Sequence, residues 1–271
     1  MDNNLKLLID RLEAERCLEK NEYKMLIEGF SEEPAAYAAS KADRIRQSIY
    51  GKDVYIRGLI EVSNICANDC LYCGIRKSNA QCARYRLPLE TVLECCRKGY
   101  ELGFRTFVMQ GGEDGFFTAE HICRYVSSIK KIFPDCAVTL SLGEYSKEEY
   151  KAMYDAGADR YLLRHETADE AHYEKLHPAS MSFEKRMKCL ENIKETGFQT
   201  GCGFMVGSPY QSSDTLAADL KFIEKFKPHM CGIGPFIPHK DTPFGSCPAG
   251  TAELTVYLLS LIRLIRPDIL L

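Results

Sequence analysis

The chain has 271 residues, of which 45% are hydrophobic, and carries a formal net charge of -3. This length suits one large α/β domain with a sizeable core, and the weak negative charge gives no basic field for nucleic acid. No apolar run approaches the length of a membrane-spanning helix, and the first residues do not resemble a secretion signal. We therefore expect a soluble cytoplasmic protein with no nucleic-acid or membrane partner.

The thirteen cysteines do not indicate a disulfide framework, because the chain is long and has no secretion signal. Ten of them occur singly or within predicted helices and have no second C-x2-C partner. We expect these ten to be reduced thiols at small core or surface positions. Such an abundance of free thiols suits an anaerobic host.

The first fifty residues have the apolar spacing of helices. One helical pattern covers residues 5–29 and ends at Gly29, and a second begins after Ser31 and ends before Gly51. Ser31 is a suitable N-cap for the second pattern. We interpret residues 1–50 as a helical extension that precedes a catalytic domain at residues 51–271.

From residue 54 onward, short apolar runs alternate with amphipathic segments, which is typical of βα units with a parallel sheet. Gly103, Gly157 and Gly197 each stand between a predicted helix and the next strand, where a positive φ is often required. The predicted strands lie near residues 54–62, 105–110, 136–141, 159–164, 198–206 and 230–236. The predicted helices lie near residues 88–102, 118–132, 146–156, 169–176, 182–196, 213–226 and 251–265.

Six successive βα units predict an α/β fold of the TIM-type (β/α) barrel class, in which catalytic groups lie at the carboxyl ends of the strands. A closed barrel needs two more strands, and an apolar seventh strand would only be starting at residues 266–271. We therefore expect an incomplete barrel of about six units, either as a fragment or as an open barrel.

Three cysteines follow the first predicted strand directly. Cys66, Cys70 and Cys73 have C-x3-C-x2-C spacing. Three thiolates can hold three irons of a [4Fe–4S] cluster and leave the fourth iron open, whereas a structural zinc site has four protein ligands. The alternatives are a zinc knuckle or three small buried residues.

Polar residues also follow the second and third predicted strands. Gly111 and Gly112 precede Glu113, so the backbone there can approach a ligand closely and the carboxylate can take an ammonium group. Taken alone, this segment could be an ordinary turn. Thr139 and Ser141 share one face of the third strand. Their hydroxyls could bond a ribose or a carboxylate, or could only fill interior volume.

The fourth predicted strand ends in Arg164, His165 and Glu166, three ionisable side chains that would each need a partner in a core. Arg164 and Glu166 share a face and could form an ion pair or divide between substrate and cofactor, whereas we expect His165 to be structural. Arg186 lies in the first turns of a predicted helix, where the helix dipole disfavours a cation. It therefore needs an anionic partner, unless it is a solvated surface arginine.

With Tyr72 just before the last cysteine, the C-x3-C-x2-C segment resembles the signature of the radical S-adenosylmethionine (SAM) enzymes. The segments Q-G-G-E-D, T-L-S-L-G-E, D-R-Y-L-L-R-H-E-T-A and G-I-G-P-F-I-P-H are similar to those of the HydE family of FeFe-hydrogenase maturases, from about residue 30 to the end. Biotin synthase and methylornithine synthase are relatives with the same cluster loop. The second-cluster segment of biotin synthase is not found here, and methylornithine synthase stays an open alternative.

The resemblance implies a radical SAM enzyme that cleaves SAM to methionine and a 5′-deoxyadenosyl radical. It implies that Cys66, Cys70 and Cys73 are the catalytic, metal-binding residues that hold the [4Fe–4S] cluster. It assigns the SAM amino group to the Gly-Gly-Glu element, the ribose to Glu166 and the carboxylate to Arg186. It places Arg164 and Met230 against the substrate. The implied cofactor-binding residues are Gly111, Gly112, Glu113, Thr139, Ser141, Glu166 and Arg186.

The resemblance also implies partners. These are a small-molecule or iron-complex substrate, reduced ferredoxin or flavodoxin as electron donor, and other hydrogenase maturases. The family's chain normally continues through two more strands and an often dispensable C-terminal cluster site, neither of which this sequence contains. The alternative from another class is a non-catalytic iron–sulfur carrier or scaffold, which would hold a cluster without forming 5′-deoxyadenosine.

Overall fold

The computed structural model describes residues 2–271, within which ten helices and eight short strands follow one another in largely alternating order. The helices are α1 (Asn3–Glu15), α2 (Lys20–Glu28), α3 (Glu32–Tyr50), α4 (Leu89–Glu101), α5 (Ala119–Ile132), α6 (Lys147–Asp155), α7 (Glu170–Leu176), α8 (Phe183–Thr196), α9 (Ser213–Phe226) and α10 (Ala252–Ile265). The strands are β1 (Gly58–Ser63), β2 (Thr106–Gly111), β3 (Ala137–Ser141), β4 (Arg160–Leu162), β5 (Gln199–Cys202), β6 (Met205–Val206), β7 (Met230–Cys231) and β8 (Gly234–Pro235).

Six strands form one parallel sheet in the order β1-β2-β3-β4-β5-β7, which is their order along the chain. Met230 of β7 forms a further parallel bridge with Leu270, so a seventh strand begins at the end of the sequence. Sequential parallel strands joined by helices are the arrangement of a (β/α) barrel. The structure is therefore a partial TIM-type barrel that is open between β1 and Leu270, as predicted.

Two predicted strands are divided in the structure. The pattern at residues 198–206 forms β5 and β6, and the pattern at 230–236 forms β7 and β8, with β6 and β8 paired in a separate small sheet. A Cβ on Gly203 would lie 2.0 Å from the carbonyl oxygen of Gly232. The two backbones therefore approach too closely for a side chain at residue 203, and each predicted strand is interrupted at its glycine.

The first strand is shorter than predicted, since it begins at Gly58 rather than at residue 54. Val54 is 83% exposed and Ile56 is 70% exposed. Residues 54–56 extend beyond the start of β2 at Thr106 and therefore have no residue of β2 to pair with.

The helical pattern at residues 5–29 forms two helices, α1 and α2, because the chain turns at Arg16 with a φ of 65°. α3 packs on α10, and α2 packs on α9. Buried residues of α1, among them Ile9 and Leu12, belong to the same hydrophobic core as the sheet. The division into residues 1–50 and 51–271 stays a prediction.

Gly103, Gly157 and Gly197 have φ values of +92°, +106° and +107°, which confirms the predicted helix-to-strand joints. All thirteen cysteines are free thiols, as expected for a chain without a disulfide framework. Among residues 2–271, no helix has the length and hydropathy needed to span a membrane.

Candidate active site

The loops after β1 and β2 lie against each other at the carboxyl end of the sheet. A Cβ on Gly112 would lie 2.4 Å from the carbonyl oxygen of Ile65 and 2.7 Å from Cβ of Cys66. The amide N–H of Ala67 donates to the carbonyl oxygen of Glu113 at 2.8 Å. Gly112 is therefore required for the Gly-Gly-Glu loop to pack against the cysteine loop.

Arg84 holds the cysteine loop in shape. Its guanidinium donates to the carbonyl oxygens of Asn64 at 2.5 Å, Ile75 at 2.7 Å, Arg76 at 2.6 Å and Asn79 at 3.2 Å. A planar guanidinium presents five N–H donors in fixed directions, so a single side chain can fix four carbonyl groups. No local pattern in the sequence indicated this role.

Asp69, inside the cysteine loop, supplies a second set of contacts. Its carboxylate accepts hydrogen bonds from Nε of Arg76 at 2.7 Å and from the amide and hydroxyl of Ser78 at 3.1 and 2.8 Å. The hydrogen bond from Arg76 is the main cause that lowers the pKa of Asp69. Charged hydrogen bonds of Arg84 thus fix the backbone before and after the three cysteines, and those of Asp69 fix the middle of the loop.

The three predicted cysteines are partly buried in this loop. Burial raises the pKa of Cys70 to about 12, with smaller effects from Cys73 and Cys66. Burial also raises the pKa of Cys73, again with a contribution from Cys66. The three thiols thus lie in one partly buried loop. Because iron binds the thiolate, metal loading would displace their protons.

Tyr72 is oriented by a neighbouring histidine. Its hydroxyl lies 3.0 Å from Nε2 of His177, and Nδ1 of His177 lies 2.9 Å from the carbonyl oxygen of Tyr173. We assign the ring proton to Nδ1, which can then donate to that carbonyl while Nε2 accepts from Tyr72. Burial lowers the pKa of His177 to about 4, which favours this neutral form.

Arg186, at the start of α8, is buried between two carboxylates. Its Nε lies 2.8 Å from Oε1 of Glu144, and its Nη2 lies 3.2 Å from Oε1 of Glu113. Burial opposes its charge, but Glu144, Tyr173 and Glu113 together hold the pKa of Arg186 above its ordinary value. The predicted anionic partner is confirmed, and the alternative of a solvated surface arginine is wrong.

The end of β4 carries a second ion pair. Nη2 of Arg164 lies 3.2 Å from Oε2 of Glu166. Glu166 has a φ of 64°, and backbone hydrogen bonds join its N–H to Gly203 at 3.0 Å and its carbonyl to Met205 at 3.3 Å. A left-handed conformation is uncommon for glutamate, so these bonds hold an uncommon backbone shape that sets the direction of its side chain.

His165 lies on the other side of β4, as predicted. It is fully buried, with Nε2 at 3.2 Å from Oδ1 of Asp219 and its ring packed against Phe204 and Phe222. Burial lowers the pKa of His165 to about 3. The residue is a core histidine.

The other predicted residues are distributed along the same rim and the interior below it. Thr139 is buried, whereas Ser141, one step closer to the rim, is half-buried. Gly111 lies against the backbone of Ser63, where a Cβ would be 3.0 Å from the carbonyl oxygen. Met230 is buried beside Gly201 in the neighbouring strand.

Several groups of the site were missed at the sequence level. Glu144 follows Gly143 after the end of β3. A carboxylate directly after a predicted strand could have identified it as a site residue. Tyr173 and His177 are four residues apart at the end of α7, and their rings stack at 3.9 Å. That spacing is the one by which helical neighbours meet, but the contact of His177 with Tyr72 depends on the tertiary structure.

The Radical SAM superfamily profile matches residues 60–223, more than half of the chain. The chain therefore belongs to the radical SAM superfamily.

Among curated relatives, the chain is 46% identical over 227 residues to the [FeFe] hydrogenase maturase subunit HydE of Thermotoga maritima, which covers 84% of this chain and 64% of HydE. The chain thus spans less than two thirds of the length of that relative. It is 26% identical to 3-methylornithine synthase of Methanosarcina acetivorans, over 99% of this chain and 71% of that protein.

Solved structures show the same fold. Methylornithine synthase (PylB) superposes with a TM-score of 0.87 at 23% identity, over 97% of this chain and 77% of that protein. The [FeFe]-hydrogenase maturase HydG superposes with a TM-score of 0.85 at 23% identity, over 99% of this chain and 63% of that protein.

Radical SAM proteins use a [4Fe–4S] cluster and SAM, and the residues present fit both groups. Among residues 2–271, no three His, Cys, Asp or Glu side chains converge on a single metal ion. In a cluster each thiolate binds its own iron, so the three cysteines need only surround the group. Within the same residues, Thr139 Oγ1, Glu166 Oε2 and Tyr173 Oη are buried without a hydrogen-bond partner. Buried polar atoms of this kind suit a polar ligand such as SAM.

Proposed function

We propose that this chain is a radical SAM enzyme that cleaves SAM reductively and acts in FeFe-hydrogenase maturation, as a HydE-like protein. The observation that carries this proposal is the 46% identity to HydE over 84% of the chain, against 26% and 25% to a methylornithine synthase and a biotin synthase. A cysteine loop beside buried polar atoms that have no hydrogen-bond partner within residues 2–271 is consistent with this chemistry.

When bound, the reduced cluster supplies one electron to SAM, which breaks into methionine and a 5′-deoxyadenosyl radical. Cys66, Cys70 and Cys73 would each bind one iron. Arg84 and Asp69 would keep the three thiolates in place, because they fix the loop on both sides of Cys70 and Cys73. Gly112 would hold the SAM-binding loop directly against the cluster loop.

The methionine part of SAM carries an ammonium and a carboxylate, and the rim offers a partner for each. We propose that Glu113 binds the amino group with the backbone of Gly111 and Gly112, and that Arg186 takes the carboxylate. Nε of Arg186 lies close to Glu144 without hydrogen-bond alignment, so the guanidinium can turn toward an added anion. Glu144 would then keep Arg186 charged and in place.

The nucleoside part of SAM would meet the ends of β3 and β4. Thr139, Ser141 and Glu166 offer hydroxyl and carboxylate oxygens there, and Oε2 of Glu166 and Oγ1 of Thr139 have no hydrogen-bond partner among residues 2–271. We propose that Glu166 accepts from the ribose hydroxyls. Arg164, paired with Glu166, and Met230, buried in the interior, would face the substrate.

We further propose a small-molecule or iron-complex substrate, a reduced ferredoxin or flavodoxin as electron donor, other hydrogenase maturases as partners, and a cytoplasmic location. A hydrogenase maturation assay tests the assignment: HydE is omitted and this chain, reconstituted with iron and sulfide, is added. Hydrogenase activity that depends on Cys70 supports the proposal. Formation of 5′-deoxyadenosine without any hydrogenase activation contradicts the maturase assignment.

Product analysis of the same assay mixtures distinguishes the alternative functions. Cysteine-dependent formation of 3-methylornithine or biotin would indicate one of the two synthase activities. A stable cluster with no 5′-deoxyadenosine under any condition would indicate an iron–sulfur carrier or scaffold.

A further inference from the structure

We propose that the outer side of the cysteine loop, together with the segment 237–245, binds an acidic one-electron donor protein. This donor face is defined by five exposed residues: Lys77, Lys175, Tyr210, Ile237 and Lys240. The proposal rests on the proposed function, since an electron donor is needed only if the chain cleaves SAM reductively. It adds the place at which the donor binds and the chemistry that recognises it.

The segment 237–245 lies directly on the cysteine loop. The ring of His239 covers Gly74, next to Cys73, so closely that a Cβ on Gly74 would be 2.7 Å from it. The amide of Phe244 donates to the carbonyl oxygen of Leu71 at 3.3 Å. Residues beside His239 are therefore close to the place where the cluster would be bound.

Two further contacts extend this surface. The ring of Tyr210 lies 6.1 Å from that of Phe244, and the ammonium of Lys175 lies 5.6 Å from the centre of the Tyr210 ring. These contacts connect Lys175 and Tyr210 to Phe244, which in turn contacts Leu71 of the cysteine loop.

The charge of this region is opposite to that of the whole chain. Residues 70–89 contain four cations and no aspartate or glutamate, although the chain has a net charge of -3. Arg76 is paired with Asp69 and Arg86 with Asp114, but Lys77 and Lys240 form no ion pair within residues 2–271. The nearby acids are Asp241, 4.0 Å from His239, and the exposed Glu174. An acidic partner is therefore favoured over a neutral or basic one.

The donor face also has apolar anchors between its cations. Ile237 is 75% exposed and Tyr210 is 64% exposed. Exposed aromatic and aliphatic side chains ringed by charge are typical of protein–protein interfaces rather than of small-ligand sites. Because electron transfer slows steeply with distance, a donor must bind on the side where the cysteine loop reaches the surface. In each turnover the donor would lose one electron and the protein would receive one.

Binding tests the surface independently of turnover. The probe is an acidic flavodoxin, titrated by calorimetry into the iron-loaded protein at low ionic strength. We expect Lys77→Glu/Lys240→Glu to raise the Kd by about tenfold, and we expect 0.5 M salt to remove most of the difference. The matched control, Lys98→Glu/Lys151→Glu, reverses two exposed lysines on α4 and α6 and should leave the Kd unchanged. Absence of binding by the unaltered protein, or equal effects of both pairs, would overturn the proposal.

A second measurement separates the donor face from the proposed function. The rate of 5′-deoxyadenosine formation is compared with reduced flavodoxin and with dithionite as reductant. Lys77→Glu/Lys240→Glu and Ile237→Ala should lower the flavodoxin-driven rate about tenfold and leave the dithionite-driven rate unchanged. Loss of both rates would show damage to the site and contradict the donor face. If the unaltered protein forms no product with dithionite, the proposed function is contradicted. The calorimetric binding result then still tests the donor face independently.

Discussion

The two ends of the sheet each contain an arginine, buried at the carboxyl end and half-buried at the amino end, and the two are stabilised differently. At the carboxyl end, Arg186 lies between the carboxylates of Glu113 and Glu144. At the amino end, Arg160 has only neutral partners, Gln199 at 2.8 Å and Thr106 at 3.2 Å. Burial lowers the pKa of Arg160, whereas the carboxylates raise that of Arg186.

The surroundings of the two arginines also differ. The amino end opens into a cavity of about 690 Å³ beside the unpaired segment 54–56, whose apolar side chains are exposed. The carboxyl end contains the fixed cysteine loop and buried polar atoms without partners. At the carboxyl end, a buried arginine between two carboxylates lies near buried polar atoms at the ends of β3 and β4 that have no hydrogen-bond partner within residues 2–271. The comparison indicates that ligand chemistry belongs there, while the amino end affects stability and association.

Removal of the two arginines should give the largest difference between the ends. We expect Arg186→Ala to lower the free energy of unfolding of the metal-free protein by about 3–5 kcal/mol, because it leaves Glu113 without its ion pair and Glu144 with only the exposed Lys185 as a cationic partner. Arg160→Ala should cost about 1 kcal/mol, since its partners are neutral. Urea unfolding of both variants measures the two changes in the free energy of unfolding. Equal losses would remove the proposed distinction between the ends.

The same substitution should weaken SAM binding. We expect Arg186→Ala or Glu166→Ala to reduce the SAM affinity of the cluster-loaded protein by about 1.5–3 kcal/mol, the scale of a charged hydrogen bond. Arg164→Ala should spare SAM affinity and impair substrate conversion. Calorimetric titration of the three variants checks these roles, and a reversed ranking would reassign them.

Arg84 tests whether the cysteine loop is held rigid before metal binds. Arg84→Ala removes a charged donor from four carbonyl groups and should reduce the iron retained after reconstitution several-fold, with a loss of about 1.5–3 kcal/mol in stability. Arg105→Ala, an exposed arginine near the amino end, is the control. Full iron content in Arg84→Ala would show that the loop is shaped by the metal instead.

His177 should make the stability of the metal-free protein depend on pH. Its folded pKa of about 4 lies below the ordinary histidine value of 6.5, so the folded state binds fewer protons than the unfolded state between these values. Its contribution is complete above pH 6.5 and is lost as the pH falls toward 4, at about 1.4 kcal/mol per pH unit. His177→Gln should flatten the urea-unfolding stability curve between pH 6.5 and 5. An unchanged slope would show that His177 is solvated.

The smallest effect is expected at the amino end. Val54→Ser/Ile56→Ser changes two exposed side chains and should alter the free energy of unfolding by less than about 0.5 kcal/mol. Because exposed apolar residues beside an open sheet edge favour association, the variant should aggregate less than the unaltered chain. Size-exclusion chromatography with light scattering checks this, and equal aggregation would place the association elsewhere.

Local patterns made the main features of the site predictable. The cysteine spacing, the Gly-Gly-Glu turn and the ionisable end of β4 each lie within a few consecutive residues. The order of βα units then places them on one rim. The helix-to-strand glycines were predictable for the same reason, since their φ depends on local geometry.

Contacts between distant segments were not predictable. The sequence indicated that Arg186 needed an anion, but not that Glu113 and Glu144 would supply it from the ends of two other strands. The division of the fifth and sixth predicted strands depends on the approach of Gly203 to Gly232, which no periodicity reveals. The carbonyl contacts of Arg84 likewise exist only once the loop has closed.

The central claim is that the cysteine loop at the carboxyl end supports reductive cleavage of SAM. The most direct measurement is quantification of 5′-deoxyadenosine and methionine by mass spectrometry after the reconstituted protein is reduced with dithionite in the presence of SAM. We predict product from the unaltered protein and from Cys95→Ala and Cys123→Ala, and none from Cys66→Ala, Cys70→Ala or Cys73→Ala. Product from Cys70→Ala, or none from unaltered protein with a full cluster, would contradict the account.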